Sequence, residues 1–514
     1  MKSYFGLKGS RLRYAIWMEA CFAVMIFGYN SASAGGVLGL PGFNKQFPAM
    51  DTTNVPEDRR QHNSTIQGTV VALFTLLGAF GALSCISFGD RLGRKRTIFI
   101  ASAIQAVGAI LQASSFQLAQ FIVARIILGL GTGGLVATIS LWQSELVKAE
   151  SRGRHVSAFG IFAGMGTSAA LWISFGISFA PESSVKWRFP LAFTTLLSVV
   201  VCGFIFHLPE SPRWLCKVDR IEEARGVLAA LYDEDTHSES VDQIMRDILL
   251  SLQMSENKSL QSLLDMKPQR NLQRLILAAT VQMLLQLTGI NAITYYAPTI
   301  YSKQLGFPPR QAFVLAAASQ AVFIIGSFVC AYTVDRFGRR KLLLSSSIGL
   351  TICMACLTGV VSNPNNDAAL RSGVFFLYLF YFVASLGYLG LPFLYASELA
   401  PVHLRAPVCG ISTATSWFFN FLVAEITPVA IESIGYRYFI LWCATNAAAI
   451  PIVYFFFPET AGRSLEEIEE IFRSSKTVLE AVHLSRTMPR LSLSVLHEAA
   501  KETMDISPKS DELE

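Results

Sequence analysis

Apolar residues come in twelve long runs, each close to the roughly 20 residues a helix needs to cross a bilayer. They cover residues 14–38, 67–88, 98–117, 121–143, 156–179, 189–208, 274–301, 311–334, 342–362, 373–396, 408–431 and 437–457. Backbone polar groups in lipid must be satisfied within the chain, so runs of this length predict membrane-spanning helices. Polar positions dominate two stretches. The first, about 210–270, has helical periodicity in Ile221–Leu231 and Ile244–Leu252 and predicts a small helical insert. The second is the tail from Glu459. There Ser464–Phe472 predicts a short amphipathic helix, and the remainder to Glu514 is expected to be disordered. The pattern predicts an all-α membrane protein with four parts: a six-helix bundle at 1–208, an insert at 209–272, a second six-helix bundle at 273–458 and a tail at 459–514.

Composition agrees with a membrane protein. The chain has 514 residues, 52% hydrophobic and 15% charged, where a soluble domain carries about 25% charged residues. A net charge of +5, with Lys and Arg confined to short loops, does not suggest a nucleic-acid partner. The nine Cys are scattered without a CxxC pair, so a disulfide framework or zinc site is not expected. The GxGxxG pattern at 129–134 lies inside an apolar run and not after a strand, which fits close helix packing rather than dinucleotide binding. No nucleophile–base set, metal cluster or phosphate loop is visible, so an enzyme, a cofactor and a metal are not expected.

Charge placement sets the expected orientation. Basic residues cluster at the N-terminus and in the loops after spans two (Arg91, Arg94, Lys95, Arg96), four (Lys148, Arg152, Arg154) and eight (Arg336, Arg339, Arg340, Lys341). By the positive-inside rule these loops and both termini are cytoplasmic. The loop about 41–66 then faces outside, and its Asn63-Ser64-Thr65 is a candidate glycosylation site. The sequon at Asn257 falls in the cytoplasmic insert and should be unused.

The signature motifs occur twice, about 250 residues apart. Asp90-Arg91-Leu92-Gly93-Arg94-Lys95 returns as Asp335-Arg336-Phe337-Gly338-Arg339-Arg340, Ser144-Glu145 with Arg152 as Ser397-Glu398 with Arg405, and Pro209-Glu210-Ser211 as Pro458-Glu459-Thr460. Three pairs in one order indicate a duplicated half, the build of many secondary transporters. A gate is expected from Asp90, Arg91, Arg94, Glu145, Arg152, Glu210, Arg213, Asp335, Arg336, Arg339, Glu398, Arg405 and Glu459. Glu145 and Glu398 would pair with Arg91/Arg94 and Arg336/Arg339. Opposite charges from the neighbouring bundle would lock the halves in one state and release them in the other.

Polar residues inside the apolar runs mark the expected cargo site. Span seven offers Gln282, Gln286, Asn291 and Tyr295, with Gly289 and Pro298 to loosen the helix. Span eleven adds Trp417 and Asn420. Arg125 in span four is a charge without an evident carboxylate partner.

These motifs resemble the sugar porter family of the major facilitator superfamily, in detail its fungal hexose-transporter-like members. The carriers of the resemblance are Phe27-Gly28-Tyr29, Gly89–Lys95, Pro209-Glu210-Ser211-Pro212-Arg213-Trp214-Leu215, Gln286–Asn291 and Pro458-Glu459-Thr460-Ala461-Gly462. The resemblance implies the major facilitator fold, alternating access, a central polyol site and a monomer in the plasma membrane. It also implies departures. Proton-coupled members carry Asp at the position of Asn30, paired with the span-four Arg; an amide does not titrate near neutral pH, so downhill uniport is expected and Asn30 joins the cargo site. Family sugar-binding positions hold Gly160, Leu285, Phe393 and Ser416, which implies a larger, more apolar cavity. The expected cargo is a hexose, polyol or related compound. The alternatives are a carrier or exporter of a non-sugar metabolite, and a transporter-like sensor.

Overall fold

The structure is a computed structural model. It describes residues 4, 6–146, 152–181, 183–256, 260–266, 270–363, 365–401, 404–463 and 465–488. Its helices are α1 (Gly9–Val37), α2 (Pro41–Gln46), α3 (Glu57–Leu92), α4 (Arg94–Ala113), α5 (Leu118–Leu146), α6 (Arg152–Ile177), α7 (Val185–Ile205), α8 (Pro212–Lys217), α9 (Ile221–Tyr232) and α10 (Glu239–Glu256). There follow α11 (Asn271–Leu287), α12 (Ile290–Tyr295), α13 (Ala297–Thr299), α14 (Pro309–Phe337), α15 (Arg339–Val361), α16 (Asp367–Gly387), α17 (Leu391–Leu399), α18 (Arg405–Ile434), α19 (Arg437–Phe456), α20 (Leu465–Ser474) and α21 (Glu480–Thr487). Among the described residues, twelve helical segments are long and apolar enough to cross a membrane.

Packing repeats between the halves. The pair α1–α6 matches α11–α18, α3–α5 matches α14–α16, and α4–α7 matches α15–α19. The two halves then meet through α3 on α18 and α6 on α14. Glycine permits the closest approaches. A Cβ at Gly133 would collide with the backbone of Gly78, so α3 and α5 touch main chain to main chain.

Breaks follow local chemistry. Gly93 and Gly338 take φ of 87° and 90°, which side-chain-bearing residues rarely adopt, and each turns the chain from one span straight into the next. Span seven breaks at Gly289 (φ 85°), where the Trp442 ring would lie 2.8 Å from an added Cβ. Span ten also breaks, between Gly387 and Leu391, which its apolar pattern does not announce.

Two expectations change. The loop 41–66 is shorter, because α2 and the first residues of α3 occupy much of it. Asn63 therefore sits on a helix, 6% exposed, and its Nδ2 donates to the carbonyls of Asp51 (2.7 Å) and Pro48 (3.1 Å). The nitrogen that a glycan would occupy ties the loop to α3 here. The adjoining Asp51 carboxyl is buried, which raises its pKa, but hydrogen bonds from Thr53 and Asn54 bring it below the ordinary value. Endoglycosidase treatment is expected to leave the protein's mobility unchanged. Asn63→Ala, which strands two carbonyls, is expected to cost about 1–3 kcal/mol in thermal unfolding assays.

The tail also differs. The amphipathic α20 forms as expected, but a second helix, α21, follows where disorder is expected. It is anchored by Arg463, whose Nη2 donates to Ser485 O (2.9 Å) and Met488 O (2.8 Å), and by the Glu459 N–H to Ser485 Oγ (3.1 Å). Asn257 and the tail beyond 488 lie outside the described residues. The insert helix α9 packs on α1, where Arg13 Nη1 donates to Leu231 O (2.8 Å).

Candidate functional site

The duplicated motifs build two copies of one charged cluster. In the first half Arg94 Nη1 donates to Asp90 Oδ1 (2.9 Å), and Nη2 and Nε fork onto the Glu145 carboxylate (3.0 and 3.1 Å). In the second, Arg339 Nη1 reaches Asp335 Oδ1 (2.8 Å) and Nη2 reaches Glu398 Oε1 (2.8 Å). The Pro-Glu motifs cap the helices that start after the Gly93 and Gly338 turns. Glu210 accepts from the N–H of Arg94 (3.1 Å) and Lys95 (3.2 Å), and Glu459 from those of Arg339 (2.9 Å) and Arg340 (3.2 Å). A carboxylate at a helix N-terminus satisfies orphan donors and the dipole together. Burial raises the Glu210 pKa despite these bonds, whereas at Asp90 the hydrogen bonds and charges of Lys217 and Arg94 outweigh burial and lower it.

Two corrections follow for the gate. The ion pairs run through Arg94 and Arg339, while Arg91 and Arg336 are exposed. Among the described residues each cluster also closes within its own half, tying three helices together. Arg213 is half-buried on α8, Arg405 half-buried at the start of α18, and the Arg152 side chain lies outside the described residues.

The halves also touch tightly toward the opposite end, near residues 35–69. A Cβ on Gly35 would run into the carbonyl of Tyr295, and one on Gly68 into that of Glu425. Thr69 Oγ1 donates to Glu425 Oε1 (2.6 Å), and Lys303 Nζ to Thr52 O (3.3 Å).

The expected cargo residues of the second half converge. Gln286 Nε2 donates to Ser416 Oγ (2.8 Å), Asn291 Nδ2 to Gln286 Oε1 (2.5 Å), and Asn420 Nδ2 to the Tyr295 hydroxyl (2.8 Å). Gln282 is fully buried, and neither end of its amide has a partner among the described residues. Trp417 closes this seam against the first half, with its ring edge-on to Phe27 (5.5 Å) and Phe74 (6.3 Å). Trp417 of α18 thereby sets this cluster beside α1 and α3.

Asn30 is separate. It accepts from Thr194 Oγ1 (2.7 Å) and donates to Thr132 Oγ1 (3.4 Å), all within the first half. Arg125, two turns and about 10 Å from Thr132 along α5, donates to Val71 O (2.9 Å) and Val70 O (3.4 Å) and lies 4.7 Å from the Phe74 ring centre. Asn30 and Arg125 are thus not hydrogen-bonded; backbone carbonyls and an aromatic face hold the guanidinium instead. Beside Gly160 stands Leu389 of the other half, with its Cδ2 2.6 Å from where a Cβ would be.

Sequence reading missed several partners. Thr132, Thr194 and Thr69 are ordinary within apolar runs, and only a neighbour across a helix interface gives them a role. Gln320, fully buried with its Oε1 unpartnered among the described residues, carried the visible signal of an amide in an apolar run.

Comparison with known proteins decides the family. The profile described as "Sugar (and other) transporter" matches residues 17–472. The chain belongs to that family. Relatives of this family member include the sugar transporter STL1 of Saccharomyces cerevisiae, 35% identical over 97% of this chain and 88% of the relative. The MFS-type transporter oryC of Aspergillus oryzae is 35% identical over 93% of this chain and 88% of its own. Among solved structures, the MFS proton:xylose symporter XylE bound to 6-bromo-6-deoxy-D-glucose superposes with a TM-score of 0.77 at 20% identity, covering 90% of this chain and 100% of that one. The fold is that of the major facilitator superfamily, and the protein is a multi-pass membrane transporter, not an enzyme.

Proposed function

We propose that this transporter carries a hexose, polyol or related small molecule down its gradient by alternating access, as a monomer without a coupled proton. One observation supports the reading: Gln286, Asn291, Ser416, Asn420 and Tyr295 of the second half join in one amide and hydroxyl seam, and Trp417 beside them packs on Phe27 and Phe74 of the first half. A polyol needs many directed hydrogen bonds, and such groups at a moving interface open to either side in turn. Relatives named as sugar and galactose transporters support a sugar cargo. Asn30 supports uncoupled transport, since its amide bridges Thr132 and Thr194 and has no proton to exchange. The basic loops favour cytoplasmic termini in a plasma-membrane protein.

A non-sugar metabolite is the second reading, favoured by Leu389 standing beside Gly160. The test is uptake of labelled hexose into cells lacking their own hexose carriers. Asn420→Leu is expected to raise KM roughly tenfold at unchanged surface level by stranding the Tyr295 hydroxyl and a cargo hydroxyl. Unchanged kinetics would move the site elsewhere, and no hexose uptake by the surface-localised parent would favour the second reading.

A further inference from the structure

The two copies of the charged cluster differ in the residue that follows the buried Arg. In the first half Lys95 Nζ donates to Phe206 O (2.8 Å) at the end of the sixth span. In the second half Arg340 takes the same position: its Nη2 donates to Tyr454 O and its guanidinium lies 5.2 Å from the Tyr454 ring centre. Arg340 is 6% exposed, its Nε has no partner among the described residues, and no carboxylate there pairs with its side chain. Glu459 is occupied by backbone N–H groups, and Glu480 by those of Lys476 and Thr477. The tail helix α21 adds a wall, and its exposed His483 and Arg486 line an open cavity of about 190 Å³ together with Arg340. Tyr454 and Phe455, 50% and 52% exposed in the last turn of a membrane helix, continue the cavity toward lipid, as does Leu479.

We propose that this cavity between α15, α19 and α21 binds the phosphate headgroup of an anionic phospholipid. Two Arg forks and an imidazole suit a phosphate. Basic pockets between membrane helices at the headgroup level are where such lipids dock. The aromatic and leucine rim gives the acyl chains a path that a free anion would not use.

The test uses full-length protein purified in detergent and stripped of lipid, with binding read by native mass spectrometry. The probes are phosphatidylinositol, phosphatidylcholine with the same acyl chains, and glycerophosphoinositol. Phosphatidylinositol is expected to be retained over phosphatidylcholine. Arg486→Gln, a surface change, should weaken its binding about fivefold, and Arg340→Gln should weaken it further. Arg473→Gln, exposed on α20, should leave it unchanged. Equal retention of the two lipids, or equal effects of Arg486→Gln and Arg473→Gln, would overturn the proposal. Competition by glycerophosphoinositol as strong as by the lipid would assign a soluble anion and overturn it too.

Discussion

Arg94→Ala and Arg339→Ala are each expected to destabilise the transporter by about 3–5 kcal/mol, the cost of leaving a buried ion-pair partner unpaired. Arg94 and Glu145 side chains are both 8% exposed, and Arg339 is 7% exposed against 17% for Glu398. Removing either Arg leaves a buried carboxylate beside a second one, Asp90 or Asp335. The thermal midpoint in detergent should fall steeply and surface expression should drop. Arg91→Ala and Arg336→Ala, one turn earlier and exposed, should stay within about 0.5 kcal/mol of the parent. Arg94→Met combined with Glu145→Leu removes both charges and should recover much of the loss. Equal effects at Arg91 and Arg94 would contradict the assignment of the ion pairs.

Gly35→Leu is expected to abolish transport while leaving a folded protein at the cell surface. The added side chain would enter the space held by the Tyr295 carbonyl of α12, and a helix backbone cannot yield cheaply. Closure at this end would be blocked, and the protein would rest with that end open. Spin-label distances across the 35–69 end should lengthen relative to the parent. Gly36→Leu differs in kind, because Gly36 faces Ser174 of its own half and the change should damage folding. Normal uptake by Gly35→Leu would mean that the contact with Tyr295 is not part of the cycle.

Much of this arrangement was legible in the sequence, and the reasons are specific. Twelve spans could be read because lipid forces apolar helices of a set length. The clusters could be read because duplication preserved Asp, Arg and Glu at matching spacings. Choosing Arg94 over Arg91 could not, since both lie in one short loop and only the turn at Gly93 decides which reaches Glu145. Asn30 shows the harder limit. Its chemistry was plain from its side chain, but its neighbours, Thr132 and Thr194, are distant residues with nothing in their surroundings to mark them. The neighbour of Gly160 was hidden for the same reason, because Leu389 comes from the other half. The amides of span seven were found because buried polar groups are rare in membrane helices.

The central claim is facilitative transport of a sugar-like cargo, and labelled hexose uptake with and without a protonophore tests it most directly. Cells lacking their own hexose carriers would express the chain, and initial rates would be taken at acidic and neutral pH. The account predicts saturable uptake that equilibrates without accumulating the label and is indifferent to the protonophore. Uptake that accumulates label and collapses with the protonophore would contradict it. That result would turn attention from Asn30 to Glu19, buried in α1, and to Glu425, half-buried in α18.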